Sequence, residues 1–68
     1  MVEILFVVEA EPEGGWIARA VGADIWTQAD SLETVDESVR DAVRCHFDEA
    51  SQPRLIRLHI VQDRVLAA

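Results

Sequence analysis

The sequence predicts an α+β domain in the order β-β-β-α-β, an antiparallel sheet with one helix packed on one face. Three observations carry this expectation. Apolar residues alternate over the first ten positions, a Pro-Glu-Gly-Gly turn follows, and an apolar stripe at helical spacing runs from residue 32 to residue 50. With 68 residues the chain is expected to form a single domain, 1–68, without internal repeats or linkers. Half of its residues are apolar but only 6% are aromatic, so the core is expected from Val, Ile, Leu and Ala.

In the first strand Val2, Ile4, Phe6, Val8 and Ala10 point one way, and Glu3, Leu5, Val7 and Glu9 the other. The second set is apolar at its centre, so both faces of this strand should be at least partly covered. Glu11-Pro12-Glu13-Gly14-Gly15 is the turn of a hairpin that returns along Trp16–Val21. Gly22-Ala23-Asp24 turns the chain again into a short strand, Ile25–Gln28, with Trp26 and Gln28 on one face.

Asp30 is the expected N-cap of the helix, with Glu33 completing a capping box, and Ser31 is the alternative cap one residue later. The stripe Leu32, Val35, Val39, Ala42, Val43, Phe47 and Ala50 forms its buried side. On the other side the spacing predicts the i,i+4 pairs Asp36–Arg40 and Arg44–Asp48. Ser51-Gln52-Pro53 ends the helix, and Arg54–Gln62 reads as the last strand. There Ile56, Leu58 and Ile60 share one face, and Leu55, Arg57, His59 and Val61 the other.

Charge narrows the function. Thirteen acids against six arginines give a net charge of −7, and there is no lysine. A Schiff-base enzyme and a lysine-bearing phosphate loop are thereby excluded. The charge is unevenly divided: residues 1–50 hold twelve acids and three arginines, a net −9, and residues 51–68 hold one acid and three arginines, a net +2. No basic segment precedes an apolar run, and the longest apolar run is Ile4–Val8, so a cytoplasmic, non-membrane protein is expected. The lone Cys45 has no partner within the chain for a disulfide and is expected opposite the stripe.

Thr27-Gln28-Ala29-Asp30-Ser31-Leu32-Glu33 resembles the element that opens the helix of HicB-like antitoxin domains. Glu11-Pro12-Glu13-Gly14-Gly15-Trp16-Ile17-Ala18 is similar to their hairpin turn and second strand. With the element order, the resemblance covers residues 2–61. It implies a partial RNase H-like fold without the nuclease site. It also implies an antitoxin-like role, binding a small basic mRNA-cleaving toxin of the HicA type. The family's usual proline-containing turn between strands two and three is replaced here by Ala23-Asp24-Ile25-Trp26. No DNA-binding domain is expected after the last strand, nor is direct DNA binding.

No catalytic, metal or cofactor site is expected. Glu3 and Glu9 lie about 20 Å apart on one strand, too far to share a cation. His46 falls in the direction of the apolar stripe and reads as a core or rim residue, and no third ligand joins it to His59. Leu5, Val7, Trp16, Ile17, Val21 and Trp26 are the candidate interface, through which a homodimer or partner would pack. Glu33, Asp36, Glu37, Asp41 and Asp48 form the acidic helix surface that would meet a basic protein. The alternative is a small nucleic-acid binder using Arg19, Arg54, Arg57, His59 and Arg64.

Overall fold

The computed structural model describes residues 2–68. Strands β1 (Glu3–Ala10), β2 (Trp16–Ala20) and β3 (Trp26–Ala29) precede helix α1 (Leu32–His46), a 3-10 turn at Glu49–Ser51, and strand β4 (Leu55–Val61). The order is the expected β-β-β-α-β, with strand ends shifted by one residue.

The sheet order is β3-β2-β1-β4. β1–β2 and β2–β3 are antiparallel, but β4 runs parallel to β1, with Glu3 opposite Leu55 and Glu9 opposite Val61. The sheet is therefore mixed: two of its three pairings are antiparallel, as expected, and the pairing of the last strand with the first is parallel. The reason is topological. β3 and β4 are joined by a helix, and a strand–helix–strand crossover brings the second strand back in the direction of the first.

The hairpin turn closes by Glu11 N–H donating to Gly15 O at 2.9 Å and Gly14 N–H to Glu11 O at 3.1 Å. Gly15 has φ +83°, and a Cβ there would stand 2.9 Å from the Ala29 carbonyl oxygen, so β2 and the end of β3 approach too closely for a side chain.

Helix α1 is capped by Ser31, whose Oγ accepts from Thr34 N–H, while Thr34 Oγ1 accepts from Ser31 N–H. The capping box is thus Ser31–Thr34 and replaces Asp30–Glu33. Both pairs carry side-chain oxygens three residues apart, and the cap falls one residue later because Ala29 still belongs to β3. At the other end Gln52 Nε2 donates to Phe47 O at 2.7 Å and to Arg44 O at 3.4 Å, satisfying carbonyls the helix leaves free. The helix stops at His46, so Phe47 and Ala50 lie outside it, and Ala50 is exposed on the 3-10 turn.

The core is one cluster: Ile4, Phe6 and Val8 of β1, Ala18 of β2, Ile25, and Val35, Val39 and Val43 of α1. Trp16, Ala20, Leu32, Phe47, Ile56 and Leu58 close around it.

Candidate protein-interaction surface

Register places the side chains of the sheet in rows. On the helix side Thr27, Ala18, Val8 and Ile60 form one row, and Ala20, Phe6 and Leu58 another. On the open side Trp26, Arg19, Val7 and His59 line up across all four strands, and Gln28, Ile17, Glu9 and Val61 lie in the next row. Leu5 and Arg57 form a third, and Glu3 and Leu55 a fourth. No element of the described chain covers this face. Trp26 stays 60% exposed, and Leu5, Val7 and Ile17 are half-buried by their neighbours in the sheet alone.

Five of the six candidate interface residues fit this surface. Leu5, Val7, Ile17 and Trp26 share the open face, and Val21, exposed just past β2, donates its N–H to Leu5 O at 2.8 Å. Trp16 does not join them. It pairs with Ala10 and Ala29, on the helix side, and packs half-buried against the core. Its strand position fixes this, since it lies two positions before Ala18, the most buried residue of β2, and so shares its face. Leu55 and Val61 are exposed apolar members of the open side that the sequence reasoning left out. Their signal was the alternation of the last strand, which already set them apart from Ile56, Leu58 and Ile60.

Between β2 and β3 the open face holds a shallow trough of about 570 Å3, lined by Ile17, Arg19, Trp26 and Gln28 with Asp24 at its rim. Arg57 is tied to Glu3 across β4–β1, with Nη2 at 2.9 Å and Nε at 3.0 Å from Oε1. Arg19 and Arg57 balance Glu3 and Glu9, so the formal charge of the open strands is near zero and the excess negative charge lies elsewhere.

That excess is concentrated on the helix and the turns. Glu33, Asp36, Glu37, Asp41 and Asp48 are all exposed. The expected Asp36–Arg40 and Arg44–Asp48 pairs are replaced by Arg40–Glu37 at 2.9 Å and Arg44–Asp41 at 3.6 Å, with Glu37 also 4.0 Å from Arg44. An i,i+3 partner lies on the same helical face as an i,i+4 partner, and Asp48 is beyond the helix end. Asp36 and Glu33 therefore keep their carboxylates outside any ion pair among the described residues.

His46 is exposed, which corrects its placement within the apolar stripe. The last helical turn, Arg44 to His46, is exposed throughout, and Phe47 leaves the helix in an extended conformation to pack against the core instead. The two rings meet edge to face at 5.0 Å. Cys45 is exposed. Among the described residues no group of three or more His, Cys, Asp or Glu side chains is placed to hold a metal ion. Among the same residues no helix is long and apolar enough to cross a membrane.

An uncovered sheet face thus lies opposite a face packed against an acidic helix. A UPF0150 protein of Archaeoglobus fulgidus is 52% identical over 52 residues, covering 76% of this chain and 77% of its own length. A second UPF0150 protein, from Thermotoga maritima, is 37% identical over 65 residues, covering 96% and 91%. The chain belongs to the UPF0150 family. The similarity to the Thermotoga UPF0150 protein spans nearly all of this chain, so it takes in both sheet faces and the helix. No family model matches the chain, and no solved structure matches it.

Proposed function

We propose that this UPF0150 chain is a non-enzymatic protein-interaction domain of the HicB-like antitoxin type, which binds and neutralises a small basic mRNA-cleaving toxin. The observation that carries this reading is the segregation of charge and apolar surface. The open sheet face offers Val7, Ile17 and Trp26 with balanced charge, and the helix side offers the free carboxylates of Glu33 and Asp36. An RNA-cleaving protein is basic where it holds phosphate. Acidic side chains steer such a partner into contact, and an exposed tryptophan supplies the anchoring area.

Co-expression with a neighbouring Lys- and Arg-rich reading frame tests the proposal. Rescue of growth and a complex that purifies intact are expected. The double change Glu33→Gln and Asp36→Asn should slow association and flatten its salt dependence, and Trp26→Ala should speed dissociation. Absence of both rescue and complex would overturn the reading.

The nucleic-acid alternative draws on Arg19, Arg57 and His59, which share the open face. Arg57 is engaged by Glu3, however, and the face has no net positive charge to hold phosphates. Salt-dependent RNA binding by the isolated chain, lost in Arg19→Ala, would favour it.

A further inference from the structure

The two edges of the sheet differ. β3 is four residues long, whereas β4 offers seven residues, without proline, lysine or bulge, in one-to-one register with β1. Soluble domains normally blunt a long apolar edge with one of those devices. Leu55 N–H donates to Val2 O, which fixes the phase of the ladder. Leu55, Arg57, His59 and Val61 turn their N–H and C=O groups to β1, and those of Ile56, Leu58 and Ile60 point away from the sheet. Apolar side chains surround these unpaired groups: Leu55 is 58% exposed, Ile60 45% and Val61 39%. On the helix side a groove of about 140 Å3 remains between α1 and β4, lined by Val39, Ile56 and Leu58, with Asp36 and Arg40 bringing one charge of each sign.

We propose that β4 pairs antiparallel with β4 of a second copy of this chain, about a two-fold axis at Leu58, joining two sheets into one. This register uses every free edge group. Leu58 faces its own counterpart, and Ile56 faces Ile60 of the second copy in both directions. The apolar side chains at these positions then extend the core row beside the helix groove. On the open side Leu55 faces Val61 of the second copy, and Arg57, already neutralised by Glu3, faces His59.

Charge favours this meeting place. No acid lies between Arg54 and Gln62, although each chain carries −7. Beyond the strand, the same register carries Gln62–Leu66 of one copy along Arg54–Ala50 of the other. There a groove of about 340 Å3 is lined by Arg40, Val43, Pro53, Arg54 and Leu55. Asp63, the acid of the tail, arrives beside Arg54, which makes no ion pair among the described residues. Val65 and Leu66, 95% and 78% exposed in the single chain, gain apolar neighbours. The pairing uses the sheet's edge and leaves the open face clear, so it stands or falls independently of the partner-binding reading.

Sedimentation velocity of the full chain at tens of micromolar tests the proposal, and a dimer is expected. Ile60→Pro removes an edge donor that β1 does not use, and Ile60→Lys places a charge opposite Ile56 of the second copy. Both should sediment as monomers with an unchanged far-ultraviolet spectrum, while Trp26→Ala remains a dimer. Register is read by disulfides in a Cys45→Ser background. A mixture of Arg57→Cys and His59→Cys chains should crosslink on mild oxidation, and neither alone should, because like positions are diagonal and out of disulfide reach. A monomeric wild type, a dimer that survives Ile60→Lys, or one split by Trp26→Ala would overturn the proposal. Loss of fold in Ile60→Pro would leave the decision to Ile60→Lys and the disulfides.

Discussion

The two faces of β1 are built from similar side chains and meet different fates. Ile4, Phe6 and Val8 are buried, with Phe6 and Val8 at 0% exposure, whereas Leu5 and Val7, one residue out of phase, stay half-exposed. Hydrophobicity of the strand itself does not separate them. The neighbours do. On the helix side β2 contributes Ala18 and Ala20, small enough for α1 to come close, and β4 contributes Ile56 and Leu58. On the open side the same two strands contribute Arg19, Arg57 and His59, whose desolvation under a helix would be costly. A face is thus chosen by the sheet as a whole, and the apolar residues stranded on the other side become surface available to a partner.

The sharpest way to break this contrast is to truncate adjacent residues on opposite faces. Phe6→Ala should cost about 3–5 kcal/mol, enough to unfold a domain whose total stability is expected near the low end of the ~5–15 kcal/mol range. Leu5→Ala should leave a cooperative transition, and denaturant unfolding of the two variants reads the difference directly.

Next in size is the turn that sets β2 against the end of β3. Gly15→Ala combines a positive φ with a Cβ 2.9 Å from Ala29 O and should cost about 1–3 kcal/mol. Gly14, with φ +108° and nothing within 4 Å of its Cβ position, should tolerate alanine better, and thermal midpoints of the two variants test the order.

The seating of the helix over its face is sharpened by the cap. Ser31→Ala should cost about 1 kcal/mol, and Asp30→Ala much less, because only Ser31 accepts the Thr34 N–H bond. The smallest effect belongs to the open face. The Glu3–Arg57 pair is solvent-exposed on both sides, and a double-mutant cycle with Glu3→Gln and Arg57→Gln should return about 0.2–1 kcal/mol, reduced further by salt.

Much of the architecture was legible because it is local. Glu11-Pro12-Glu13-Gly14-Gly15 can hardly do anything but turn, and the period of Val35, Val39 and Val43 states a buried helix face. What escaped the sequence depends on the third dimension. Alternation assigns residues to faces without naming the neighbouring strand, so the parallel β1–β4 pairing and the position of Trp16 needed the register. Asp30 and Ser31 are chemically equivalent caps, and the end of β3 decided between them. His46 has the right direction for the core but lies on the helix's last turn, which direction alone does not register. Of the candidate surface, Leu5, Val7, Ile17 and Trp26 were readable from alternation, whereas the exposure of Leu55 and Val61 depended on no element covering them.

The parallel ladder between the first strand and the last also sets when this chain can fold during synthesis. β1 leaves the ribosome early, yet Glu3 finds its Arg57 partner only after 54 further positions. Until then the hairpin has one of its two central-strand neighbours missing, and a loop of that span must close before Phe6 meets Leu58. The domain is consequently all-or-none with respect to its C-terminal third. A nascent chain halted before β4 would present Ile4, Phe6 and Val8 along a naked strand edge, a target for chaperones or for aggregation rather than a smaller working version of the protein.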